Sequence, residues 1–230
     1  MENNNTKRIK RLVAIAMFSA LAFVTTVLCG YFPKIAGFLS LEFKDAVIVI
    51  CSLIYGPVSG LIIAIVVPII ESFTISATGW YGLIMNVLSS ATFVVVSGII
   101  YKYKRSFFGA IAGLVAGVFS VTAVMLLANL LITPLYLTYM LGVPSSMGDV
   151  AKMLPTILLP FNFIKATLNA AIVMLLYKPL SNALKQVGFV EKRNAENEGE
   201  KRFNARSIII AVISLLIIAI SLCIMFVVLK

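Results

Sequence analysis

Apolar residues run along this chain in long blocks, broken only by short polar or Gly/Pro-bearing stretches. That pattern is more continuous than the one-sided stripe of a water-soluble helix. Seven blocks read as membrane-spanning helices: Leu12–Cys29, Ala46–Tyr55, Val58–Ile70, Gly82–Ile100, Phe107–Leu131, Leu154–Tyr177 and Ser207–Leu229. An ordinary crossing takes about 20 apolar residues, so the run from Ala46 to Ile70 is too long for one. It divides at Gly56-Pro57 into two shorter, tilted helices joined by a tight turn, the first near the lower length limit. Pro68 is positioned to kink the second near its outer end.

The breaks predict loops. Gly30–Phe43 and Thr133–Lys152 carry Gly and Pro residues that argue against continuous helix, and the first is placed to form a lid. Asp45 starts or caps the next helix, with Lys44 beside it. Glu71–Tyr81 reads as an outer loop and helix start, with Trp80 and Tyr81 suited to the membrane interface. Small residues mark two faces. Ala16 and Ala20 lie four apart with Ala14 close by, a surface open equally to packing within the protein or docking of another membrane subunit. Gly109, Gly113 and Gly117 recur every four residues and leave one helical face nearly free of side chains, for a close helix neighbour.

Composition strengthens the membrane reading. Hydrophobic residues make up 61% of the 230 residues, charged residues 12%, and histidine is absent. Without histidine there is no Ser-His-Asp triad, histidine metal site or HExxH element. Cys29, Cys51 and Cys223 are scattered through apolar blocks without ligand spacing and read as packing residues. The formal charge of +10 raises nucleic acid as a partner. Yet the basic residues fall at the ends of apolar blocks and build no binding motif. With a cytoplasmic N-terminus, 14 of the 19 basic residues lie on the cytoplasmic side, the asymmetry expected of a multi-pass protein in a cell membrane. The leading block is longer than a signal-peptide core and reads as a retained first helix.

Candidate chemistry concentrates in Leu154–Tyr177, where Asn162, Lys165 and Asn169 share one helical face among apolar neighbours. A lysine inside a hydrophobic span marks a ligand or ion site, or a structural amide and lysine network between helices. Asn129 lies toward the outer end of its span, at the same depth as Asn162. Phe32, Leu39, Phe161 and Phe163 offer apolar surface for a planar ligand. No nucleophile and base pair has a recognisable context, and no Walker A motif is present. ATP hydrolysis is therefore expected from partner subunits and not from this chain.

Several joined features then carry a resemblance: the basic start with Ala16-x-x-x-Ala20, Leu41-Glu42-Phe43-Lys44-Asp45, Tyr55-Gly56-Pro57, and Phe161-Asn162-Phe163-Ile164-Lys165. Over Lys10–Leu184 the chain resembles the substrate-binding membrane subunits of the energy-coupling factor vitamin importers, and among them the riboflavin-binding members. The resemblance implies an all-α polytopic membrane protein with a six-helix substrate-binding core at residues 12–184. A basic cytoplasmic tail, 1–11, precedes it; a polar linker, 185–206, and an additional transmembrane helix, 207–229, follow. It implies riboflavin as transported ligand, with no catalytic cofactor. Asn129, Asn162 and Lys165 look like the family's flavin-contacting groups, with Leu39 and Ser40 as further pocket members. Ala16 and Ala20 correspond to the surface that packs on a transmembrane coupling subunit, itself joined by two ATP-binding subunits in a bacterial cell membrane. Another vitamin, a self-contained secondary transporter and a membrane scaffold are the competing expectations.

Overall fold

The computed structural model describes residues 4–189 and 205–227, and its regular elements are helices throughout. In chain order these are α1 (Asn4–Cys29), α2 (Lys44–Tyr55), α3 (Pro57–Thr74), α4 (Gly79–Tyr103), α5 (Phe107–Tyr139), α6 (Met147–Met153), a π-helical turn (Leu154–Leu158), α7 (Leu159–Gln186) and α8 (Ala205–Val227). Among the described residues, α1, α3, α4, α5 and the continuous helical run Met147–Leu184 are long and apolar enough to cross a membrane.

The centre of the bundle is α2. It has only 12 residues, about 18 Å at 1.5 Å per residue, too short to span the hydrocarbon alone. It packs on α1, α3, α4 and α7. Ile48, Val49, Ile50 and Cys51 are all buried, so its apolar residues meet protein on every side where a lipid-facing helix would meet acyl chains. Its first turn carries Lys44 and Asp45, also buried. Asp45 sits where the helix N-terminus favours a negative charge and accepts hydrogen bonds from Ser89 and Ser90 on α4.

Two devices set the helix order around it. Gly56 holds φ 94° and ψ 162° between α2 and α3, a region open in practice to glycine alone, and Pro57 begins α3 where a missing N–H costs nothing. The α4 and α5 axes approach closely because side chains are absent at the contact. A Cβ on Gly113 would lie 2.8 Å from the Ser97 carbonyl oxygen, and one on Gly117 2.6 Å from the Phe93 ring.

Several predicted boundaries move. The first helix begins by Asn4, so Lys7, Arg8, Lys10 and Arg11 stand on a helix in place of a tail. Helix α3 continues past Ile70 to Thr74, which puts Glu71 in a buried helical turn and not in an outer loop. Helix α5 continues through Pro134 to Tyr139, and α6 follows, so most of the expected loop from Thr133 to Lys152 is helical. Charge and proline ended those spans in the sequence reading. A buried partner for Glu71 and a helix already established before Pro134 remove both reasons. Helix α8 packs on α7, with Ser214 and Ser221 buried. The expected linker stretch from Glu191 to Arg202 lies outside the described residues.

Candidate functional site

Helices α4, α5 and α7, with the first loop, line a partly open cavity of about 130 Å³. Leu39, Ser40, Asn129, Asn162 and Lys165, the five predicted contact residues, all line it. Local helix structure aims the amides. Asn129 Nδ2 donates to the Met125 carbonyl at 2.7 Å, and its Oδ1 accepts from Thr133 Oγ1 at 2.9 Å. Asn162 Nδ2 donates to the Leu158 carbonyl at 2.7 Å, just past the π-helical turn. Each amide nitrogen has a second hydrogen to offer.

Asn169, the third member of the polar face, has a different role. It is fully buried; its Oδ1 accepts from the Ala46 N–H at 2.9 Å, and its Nδ2 donates to the Glu42 carbonyl at 2.9 Å. It therefore ties α7 to the start of α2. The two readings left open for this face are divided by depth: Asn162 and Lys165 reach the cavity, and Asn169 forms the interhelical network.

A buried chain of charges runs inward from the cavity wall. Lys165 Nζ is 3.4 Å from Glu42 Oε2, and Lys44 Nζ is 3.2 Å from the same oxygen. Lys44 also pairs with Glu71, whose Oε1 accepts from Thr26 Oγ1 at 2.7 Å. Asn86 Nδ2 reaches the other Glu71 oxygen at 3.4 Å and lines the cavity as well. Burial alone raises the Glu42 carboxyl. The charges of Lys44 and Lys165 override it and hold the group at about 2, against an ordinary 4.5, so it is ionised at neutral pH.

The aromatic rim differs from expectation. Phe161 and Leu39 line the cavity, as predicted, whereas Phe32 packs on Phe43 and Phe163 on Phe119. In their place stand Phe38, Tyr81 and Tyr136, with Tyr136 6.1 Å from Tyr81 and 6.3 Å from Phe38 between ring centroids. The sequence places Tyr81 at the interface and Tyr136 in a loop; an aromatic two turns beyond Asn129 on an unbroken α5 is the signal available. Glu42, which the sequence offers only as part of Leu41-Glu42-Phe43-Lys44-Asp45, also lines the cavity.

A second, apolar groove of about 460 Å³ runs between α1 and α3. Ala16, Ser19 and Ala20 form one wall, and Ile62, Val66 and Ile70 the other. Ala14 turns into the core instead.

A partly open cavity in which amides and charged groups converge beside apolar and aromatic side chains, inside a multi-pass helical bundle, defines a membrane protein that binds a small molecule. The family model described as "ECF transporter, substrate-specific component" matches residues 10–177. The chain is 33% identical to "Riboflavin transporter RibU" of Staphylococcus aureus (strain TCH60), over 80% of this chain and 96% of that one. It is 27% identical to "Riboflavin transporter FmnP" of Bacillus subtilis (strain 168), over 78% and 96%. A solved structure titled "Structure and mechanism of the S component of a bacterial ECF transporter" superposes with a TM-score of 0.64 at 31% identity, covering 77% of this chain and 99% of that one. The chain belongs to the substrate-specific components of the energy-coupling factor transporters. The family match ends before α8.

Proposed function

We propose that this protein captures riboflavin and delivers it inward as the substrate-binding subunit of an energy-coupling factor importer. The observation that carries this reading is the gathering of Asn129, Asn162 and Lys165 in one cavity beneath Phe38, Tyr81 and Tyr136. A flavin presents a planar apolar ring with a polar edge of carbonyl acceptors and an imide donor. Amides and an ammonium can pair with that edge while the aromatic and aliphatic wall receives the ring. The two relatives named as riboflavin transporters support the same ligand.

The wall from Phe38 to Glu42 belongs to no helix; the backbone pair Ile35–Leu39 closes the turn before it, and Ala36 and Gly37 adopt positive φ. The N-terminus is assigned to the cytoplasm. The groove at Ala16 and Ala20 is assigned to a transmembrane coupling subunit, and two ATP-binding subunits complete the importer and supply its energy.

Equilibrium binding to detergent-purified protein, followed by flavin fluorescence quenching with thiamine as control, tests the ligand. Saturable, riboflavin-selective quenching that weakens on the order of tenfold or more in Asn162→Ala and Lys165→Ala is expected. Unchanged affinity in both folded variants would remove the assignment.

A further inference from the structure

Among the described residues Glu42 is the one acid on the cavity wall, where it is the counter-ion of Lys165 and is also within reach of a ligand. Lys44 already has Glu71 as a partner, deeper in the bundle. Glu42 instead stands at the cavity with its backbone carbonyl held by Asn169 Nδ2 at 2.9 Å. Both ammoniums approach a single carboxylate oxygen, Oε2, Lys44 at 3.2 Å and Lys165 at 3.4 Å. The lysines thereby orient a carboxylate that lines the cavity.

An ionised carboxylate accepts hydrogen bonds and donates none. Beside it, the Lys165 ammonium donates, and the amide of Asn162 has a hydrogen to spare. The wall thus offers two donors and an acceptor. Its complement is a group with two acceptors and a donor, as the two carbonyls and the N–H of a flavin imide supply. We propose that Glu42 is a specificity-determining residue of the cavity, accepting the hydrogen bond of the ligand's imide N–H while Lys165 donates to the adjacent carbonyl. This rests on the riboflavin reading and adds to it the group that requires a ring N–H.

The test compares riboflavin with 3-methylriboflavin, in which the imide hydrogen is replaced, on full-length protein. Wild type should bind the methylated ligand more weakly by on the order of tenfold or more, as loss of a charge-assisted hydrogen bond requires. In Glu42→Gln the two lysines hold the amide carbonyl and leave its NH₂ toward the ligand, donor against donor. Riboflavin affinity should then fall, and the ratio between the two ligands should collapse to within about a factor of two. If the Gln variant does not fold, Glu42→Asp takes its place; it draws the acceptor back by one methylene, and its ratio should fall below that of wild type. Equal affinity of wild type for both ligands, or a ratio unchanged in the variant that folds, overturns the proposal and leaves riboflavin binding standing. Folded wild type that binds neither flavin overturns both.

Discussion

Lys44 and Glu71 stand 27 positions apart and meet as a buried ion pair between the first turn of α2 and the last turn of α3. Thr26 on α1 and Asn86 on α4 complete the carboxylate's partners, so one acid joins four helices. Removing one partner of a buried pair leaves an uncompensated charge and costs about 3–5 kcal/mol. Glu71→Gln should therefore destabilise the protein by about that amount in detergent, measured by reversible chemical unfolding. A loss below about 1 kcal/mol would show that water or Glu42 compensates Lys44.

Glu42 predicts an acid dependence. Its carboxyl lies at about 2 in the folded protein against an ordinary 4.5, so folding favours the ionised form. The stability this contributes is fully present above about pH 4.5 and is lost as pH falls toward 2. Near neutral pH this group contributes no slope. Melting temperature in detergent should fall across the acid window in wild type and fall less in folded Glu42→Gln; equal slopes would remove Glu42 as the cause.

Ala16 and Ala20 line the groove between α1 and α3 and touch no part of the cavity. Replacing both with leucine fills the groove without altering the ligand wall. The double variant should bind riboflavin within about twofold of wild type and fail to copurify with the transmembrane coupling subunit, since close helix approach needs small residues. Normal copurification and transport would move the subunit contact elsewhere.

Among the described residues, helix α8 contributes none to the cavity. It packs on α7, and its Leu222 rests against the outer apolar cluster that includes Leu39 and Phe161. A chain ending after Phe189 should keep riboflavin selectivity and lose affinity by less than about tenfold, because only indirect packing is removed. Complete loss of binding in folded, truncated protein would make α8 part of the site.

Much of the site was legible because isolated polar side chains in apolar spans are expensive and so stand out. Asn129, Asn162 and Lys165 could be picked out one by one, and helical spacing put the last two on one face. Glu42 and Tyr136 were not legible in this way. Each sat in a stretch rich in Gly and Pro, where a charge or an aromatic ring is unremarkable. Glu71 was hidden for a related reason: a charge at the end of an apolar block looks like a loop residue until its counter-charge is known. Helix α2 shows the limit from the other side, since its apolar residues have the same pattern whether they face lipid or protein.

Transfer free energy and helical periodicity act over neighbouring residues, and these local terms alone determined the all-helical membrane class, the order of the spans, the small-residue faces and the polar face of α7. Tertiary structure decided that α2 is enclosed, that Lys44 meets Glu71, that Asn169 ties helices while Lys165 reaches the cavity, and that Tyr81 and Tyr136 form its rim. Each of these depends on which distant segments share a contact, and no local pattern in either segment encodes that partner.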